Sequence, residues 1–371
     1  MNRFPHVFKT VKIKNVEISN RIVLPPLVTG YSNLDGSIGE RQKMFYKAIA
    51  KDGVGLVIIG AAAVTQDGIL TVGCSRIDKD DYIEGMTELF STIKAEGSVP
   101  GIQLAHAGRQ TNTRRTGGVS TVAPSAIACP VNNVMPRELA VNEIKNMENA
   151  FVQAALRSLK AGAEFIEFHA AHGYLINQFL SPFSNHRADE YGGSLENRAR
   201  FALNIIKSAR DQVGESPVLG FRISADEFVD GGLTLEESKK VCQWMVANGA
   251  DFIDVSAGIA SVDWEIRSEK IQEGTYLEIA SAIKKAVDVP VICVGGICSL
   301  ESAEKILRED LADLVAMGRA FIADPELISK TLNDKEGSIV DCINCRYCFQ
   351  TIMDDDGNGM ECTQNPDLPQ A

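Results

Sequence analysis

The chain has 371 residues, 45% hydrophobic and 23% charged, with a formal net charge of −12. That length suits one large α/β barrel or two average domains around a substantial core, and the composition is that of a globular protein. The acidic balance argues against nucleic-acid and anionic-membrane partners, which require a basic face. No apolar run is long enough to span a bilayer, and the first fourteen residues lack the apolar core of a signal peptide. A cytoplasmic location is expected, where thiols stay reduced and clustered cysteines read as metal ligands rather than disulfides.

Eight short apolar runs, at 21–25, 55–60, 101–105, 165–169, 219–223, 252–256, 291–294 and 314–317, alternate with helix-length stretches. Most are rich in Val, Ile, Leu or Phe, as strands buried on both faces are. A long insert, 108–142, follows the third run and is rich in Gly, Thr and Pro. Ile144, Met147, Phe151, Ala155 and Leu159 then recur at the helical period. A second insert, 172–193, follows the fourth run, and such loops commonly cover a binding site. Ser194 with Glu196 opens a helix, Thr234 with Glu237 forms a capping box, and Asp324–Pro325 predicts an N-cap with proline in the first turn. Past about residue 334 the alternation stops, so the expected organisation is a barrel over 1–335 and a cysteine-rich extension over 336–371.

Alternation of this kind builds either a (β/α)8 barrel or a doubly wound open sheet. The first run is not followed by G-x-G-x-x-G, the mark of the dinucleotide-binding open sheet. Polar and glycine residues also gather just after run upon run, where a barrel places its site. The expected fold class is therefore α/β, as a (β/α)8 barrel.

Three groups of residues carry chemistry. Val294-Gly295-Gly296 and Met317-Gly318-Arg319 end the seventh and eighth runs, each ahead of a helix. Those two loops commonly bind phosphate in a barrel, with glycines admitting the backbone amides and an arginine meeting the charge. His169 and His172 lie three residues apart at the end of the fourth run, with Tyr174 beyond. Both imidazoles can donate N–H groups to a developing oxyanion, and the tyrosine can supply a proton. A zinc site would need a third ligand that the spacing does not show. Gln103, His106 and Arg222 fall at matching ends of other runs, which suggests one shared site, because isolated buried polar groups are costly.

The third group is Cys342, Cys345, Cys348 and Cys362, four of nine cysteines in one short segment. Four thiolates so spaced suit an iron–sulfur cluster or a zinc ion. Cys74, Cys129, Cys242, Cys293 and Cys298 are scattered and read as small buried residues.

The stretch His169-Ala170-Ala171-His172-Gly173-Tyr174-Leu175, continued through Gln178-Phe179-Leu180-Ser181-Pro182 to Arg187 and Tyr191-Gly192-Gly193-Ser194-Leu195-Glu196-Asn197-Arg198, resembles the old yellow enzyme family of FMN-dependent oxidoreductases. Asn20-Arg21-Ile22-Val23, Pro25-Pro26, Gln103-Leu104-Ala105-His106-Ala107-Gly108-Arg109 and Gly318-Arg319 match further stretches in the same order. The resemblance implies a TIM barrel with FMN at its C-terminal mouth. It implies that Pro25, Pro26, Leu27 and Val28, with Ala61, Gln103 and Arg222, contact the flavin ring, while Gly295, Gly296, Gly318 and Arg319 hold its phosphate. His169 and His172 match the pair that binds a substrate carbonyl oxygen, and Tyr174 the proton donor. The cysteine segment is similar to the 4Fe–4S segment of trimethylamine dehydrogenase and of the dienoyl-CoA reductases. Those proteins continue into a nucleotide-binding module, whereas this sequence ends at Ala371. Val28 stands where trimethylamine dehydrogenase attaches its flavin covalently, so non-covalent FMN is expected.

The expected activity is an ene-reductase that passes hydride from NAD(P)H through FMN to the C=C bond of an α,β-unsaturated carbonyl compound. The alternatives are an amine-type dehydrogenase, or a subunit passing electrons from FMN through a 4Fe–4S cluster to a partner protein. A homo-oligomer is compatible with either.

Overall fold

Eight parallel strands form a closed ring in chain order: β1 (Ile22–Leu24), β2 (Leu56–Ala63), β3 (Val99–Ala105), β4 (Phe165–Ala170), β5 (Val218–Ser224), β6 (Phe252–Ser256), β7 (Val291–Cys293) and β8 (Leu314–Ala316). The computed structural model describes residues 3–259 and 273–368. Closure is made by β8 returning to β1, with Val315 opposite Ile22 and Ala316 opposite Val23. Parallel neighbours need long crossovers. Helices Glu40–Lys51, Ile83–Ala95, Val141–Lys160, Leu195–Val213, Leu235–Ala247, Leu277–Lys284 and Leu300–Arg308 provide them. The fold is the (β/α)8 TIM barrel that the alternation predicts. Among the described residues no helix is long and apolar enough to cross a membrane.

Each predicted run lies on a strand, with β2 reaching further to Ala63 and β3 starting earlier at Val99. Side chains at the strand starts fill the barrel: Leu56, Phe165, Val218, Phe252 and Leu314 pack together with Ile13 and Ile18. The last two come from the antiparallel hairpin Val11–Ile13/Val16–Ile18, which stops the N-terminal end of the barrel. Glycine is required at position 220, where a Cβ would meet the Phe252 ring at 2.5 Å. A second apolar layer lies between strands and helices. Ile144, Met147, Phe151 and Ala155 are the buried stripe of the helix Val141–Lys160, and Leu159 packs at its edge.

The caps at Ser194 and Thr234 form as predicted, each side chain accepting a backbone N–H of the first turn. Asp324 behaves differently. The helix after it starts only at Leu327. The buried Asp324 carboxylate accepts from Glu326 N at 3.0 Å and Val340 N at 2.8 Å, and pairs with Lys330 at 2.8 Å. It therefore ties the end of the barrel to the chain beyond, a long-range use that local sequence does not reveal.

That following segment lies against the barrel. Met360 N donates to Thr29 O at 2.7 Å, Tyr31 Oη donates to Met360 O, and Asn365 Nδ2 donates to Ile322 O at 3.0 Å. Met360 and Leu368 are buried in the barrel's outer apolar layer. The approach is close enough that a Cβ on Gly30, whose φ is +68°, would meet Gly359 Cα at 2.8 Å.

Candidate active site at the carboxyl end of the barrel

His169 occupies β4 near its carboxyl end, and the chain then turns so that His172 and Tyr174 come back over it. The His169 ring centre lies 5.1 Å from that of His172 and 5.0 Å from that of Tyr174. His172 adopts a left-handed conformation, φ 63°, which the surrounding bonds hold in place. Its N–H donates to Ser224 Oγ at 2.8 Å, its carbonyl accepts from Gln110 Nε2 at 2.9 Å, and its Nε2 lies 2.7 Å from Ser256 Oγ. Burial, followed by the charges of His172 and Arg222, keeps the His169 pKa well below its usual value, so its ring is neutral at pH 7. Burial pushes the Tyr174 hydroxyl up to about 12, which leaves it a proton carrier at that pH.

Beside the histidines, Tyr174 and Val28 pack on a patch of small side chains, Ala61, Ala63, Cys74, Ala105 and Ala107. Pro25 and Leu27 border Gly318, where an added Cβ would lie 3.3 and 3.5 Å from them, and Pro26 borders Gly60 at 2.9 Å by the same measure. Gln103 and Arg222 lie deeper, both buried, on β3 and β5. Of the polar strand-end residues, His106 is engaged elsewhere: its Nδ1 accepts from Gly108 N at 2.9 Å and its Nε2 lies 3.3 Å from Asp67.

Gly295 and Gly296 follow β7 with φ of 134° and 69°, and a side chain at Gly295 would strike the Tyr276 ring at 3.0 Å. Arg319, after β8, hydrogen-bonds to Asn344 through its guanidinium. Together with Ile322 it also lines a pocket walled by Cys342, Cys345, Cys348 and Cys362. The barrel thus presents Arg319 to the cysteine segment from directly beside the paired glycine loops. Among the described residues no three His, Cys, Asp or Glu side chains converge as the ligands of a single metal ion do. Cys74, Cys129, Cys242 and Cys293 are buried, and Cys298 half-buried, as their scatter suggests.

The sequence pattern of the NADH:flavin oxidoreductase / NADH oxidase family matches residues 6–336. The chain belongs to this family. It is 42% identical to an NADH oxidase of Thermoanaerobacter brockii over 99% of this chain and 56% of that protein. Against an NADPH dehydrogenase of Bacillus subtilis (strain 168) it is 39% identical, over 86% of this chain and 92% of that one. A solved 2-naphthoyl-CoA reductase in complex with 2-naphthoyl-CoA matches 99% of this chain and 58% of its own, with a TM-score of 0.93 and 30% identity. The chain spans a little over half the length of the relatives that match it from end to end, and those matches include the cysteine segment.

The family's description pairs a flavin with a reduced nicotinamide. The mouth of the barrel fits a flavin. His169 Nδ1 is a buried polar atom with no hydrogen-bond partner among the described residues, and its ring lies beside Tyr174 of the small-residue patch. A flavin or its substrate offers an apolar ring for the patch and a polar edge for that ring nitrogen.

Sequence reasoning missed Ser224 and Ser256, which hold His172, and Glu167 and Asp254, buried acids beneath the mouth. The acids did leave a signal. Each is the one charged residue inside an apolar strand, in Phe165–Ala170 and Phe252–Ser256.

Proposed function

We propose that this chain is an ene-reductase: FMN binds non-covalently at the mouth, and reducing equivalents from NAD(P)H saturate the C=C bond of an α,β-unsaturated carbonyl compound. The observation that carries this reading is that His172 and Tyr174 each lie about 5 Å from His169, with Tyr174 on the patch that includes Val28, Ala61 and Ala105. FMN, when bound, would supply the two-electron hydride chemistry between a reduced nicotinamide and the substrate's β-carbon.

The protein's part is alignment and proton supply. Pro25, Pro26, Leu27, Val28 and Ala61 would bed the flavin ring, and Gln103 and Arg222 would hold its polar edge. Gly295, Gly296 and Gly318 admit the phosphate to backbone amides, with Arg319 as the adjacent cation. His169 and His172 donate N–H groups to the substrate's carbonyl oxygen, and these bonds strengthen as negative charge develops there. Being neutral, His169 donates without itself surrendering a proton. Tyr174 passes its hydroxyl proton to the α-carbon and is restored from solvent. The likeness to a 2-naphthoyl-CoA reductase supports including thioesters within the carbonyl class.

The cysteine segment supports a second function of the same chain. Cys342, Cys345, Cys348 and Cys362 hold a 4Fe–4S cluster that exchanges electrons with a partner. The four thiols line a pocket instead of converging on a point. This suits a cluster with one iron per thiol better than a lone zinc, whose Zn–S bonds are all about 2.3 Å.

Anaerobic turnover with NADPH and cyclohexenone, or with an enoyl thioester, tests the principal reading. Saturated product with matching NADPH loss is the expected result. Flavin reduction without product, combined with electron passage to an external carrier, would replace it with the electron-transfer reading. Acid precipitation should release FMN into the supernatant, as non-covalent binding requires.

A further inference from the structure

Glu167 and Asp254 point into the barrel from β4 and β6, 0% and 1% exposed, and the proposed chemistry makes no use of them. Glu167 precedes His169 by two residues and so shares its face of the strand. Asp254 stands in register with Arg222, and Arg222 with His169. Gln103 Nε2 donates to Glu167 Oε1 at 2.7 Å, and Arg222 Nε lies 3.4 Å from Asp254 Oδ2. The second Glu167 oxygen and both Asp254 oxygens receive no hydrogen bond from any described donor. The two carboxyl groups lie close enough to interact directly with each other.

Ionised carboxylates are acceptors only, so this contact becomes a hydrogen bond only when one oxygen carries a proton. Charge counting agrees. One guanidinium faces two carboxyls where water is excluded, and a second negative charge would stand uncompensated. Burial raises both pKa values; the Asp254 charge raises Glu167 further, and Arg222 opposes the shift in each. Gln103 on β3, bonded to Glu167, carries no charge, and His169, two residues further along β4, is neutral at pH 7. Cys293 on β7, pushed up to about 12 by burial, stays neutral beside Asp254.

We propose that Glu167 and Asp254 hold one proton between them, and that the single negative charge left is the counter-charge that positions Arg222 for the flavin. The second half rests on the flavin placement proposed above. Arg222 is then charge-balanced while the flavin is oxidised, and it keeps its fork aimed at the edge where reduction adds negative charge.

Infrared spectra of the flavin-loaded protein at neutral pH test the shared proton through the carbonyl stretch of protonated carboxyl groups. Glu167→Gln and Asp254→Asn are close in volume to the native residues, and each should lose one such band, because the carboxyl left alone ionises against Arg222. The double variant should lose no more than either single one. Two bands lost in the double variant would mean that both acids are neutral, none lost that both are ionised, and either result overturns the proposal. The counter-charge is read from the affinities for reduced and oxidised FMN. Their ratio should move less than about threefold in the single variants and rise roughly tenfold in the double, a shift of about 30 mV for a two-electron couple. An unchanged ratio in the double variant, with Arg222→Lys still weakening FMN, rejects the counter-charge role. FMN binding indifferent to Arg222→Lys rejects the flavin placement instead, whatever the infrared result.

Discussion

The His172 ring is held from across the barrel: its Nε2 lies 2.7 Å from Oγ of Ser256, a residue 84 positions later at the end of β6. A serine hydroxyl that donates to Nε2 keeps the ring proton on Nδ1, which makes tautomer and orientation depend on one contact. Ser256→Ala should lower kcat/KM for an enone roughly 2–10-fold, the worth of one hydrogen bond of about 0.5–1.5 kcal/mol. Flavin reduction by NADPH should be unchanged. Stopped-flow measurement of the two half-reactions checks this, and an equal loss in both would show that Ser256 supports the whole site.

Tyr174→Phe should slow the enone half-reaction by roughly 10²–10⁴-fold, the usual contribution of a general acid. Reduction of FMN by NAD(P)H needs no proton on the α-carbon and should keep its rate. If both halves fell together in rapid-mixing experiments, Tyr174 would be shaping the pocket rather than donating a proton.

His169 links stability to pH. Its folded pKa is depressed, so below the unfolded value of about 6.5 the unfolded chain binds one proton that the folded chain does not. The stability that the neutral ring provides is complete above pH 6.5. It is lost at about 1.4 kcal/mol per pH unit as the pH falls towards the folded pKa. Denaturant unfolding of His169→Asn between pH 5 and 7 should show a slope shallower by that one proton. Parallel slopes for variant and wild type would mean that the ring protonates in the folded state.

Arg115 fastens the cysteine segment. Its guanidinium donates to Asp355 Oδ1 at 2.6 Å, Met353 O at 2.9 Å and Leu70 O at 3.1 Å, and its side chain is 8% exposed. Arg115→Met should weaken docking of this segment by about 3 kcal/mol, the scale for removing one partner of a largely buried pair. Limited proteolysis should then cut near residues 353–358 while FMN content is retained. Unaltered protease resistance would show that Met360 and Leu368 suffice to hold the segment.

The cysteine site should yield about four irons and four sulfides per chain after anaerobic purification, from the composition of a 4Fe–4S cluster. Cys345→Ala should lose them while FMN stays bound. Stoichiometric zinc with no iron would assign the thiols to a tetrahedral ion.

Much of the fold was legible in the sequence because its causes are local. The buried stripe of Val141–Lys160 and the caps at Ser194 and Thr234 depend on residues three or four apart. Val/Ile/Leu runs bounded by turns mark the strands in the same way. The grouping of His169, His172 and Tyr174 in the candidate site was legible because it is compressed into one stretch. His106 shows where that reading ends. In sequence it is an equal candidate for the mouth, yet Asp67 and Gly108 N engage its two ring nitrogens. Glu167 and Asp254 stand out in sequence as charges within apolar strands, but their meeting depends on how the barrel curves and tilts. Asp324 held to Val340, Ser256 to His172 and Arg115 to Asp355 join positions 16, 84 and 240 residues apart. The amino-acid order supplied the elements and the reactive groups by itself. Which polar groups face each other was decided only by closure of the barrel, because hydrogen bonds and charges act over a few ångströms of space whatever their separation along the chain.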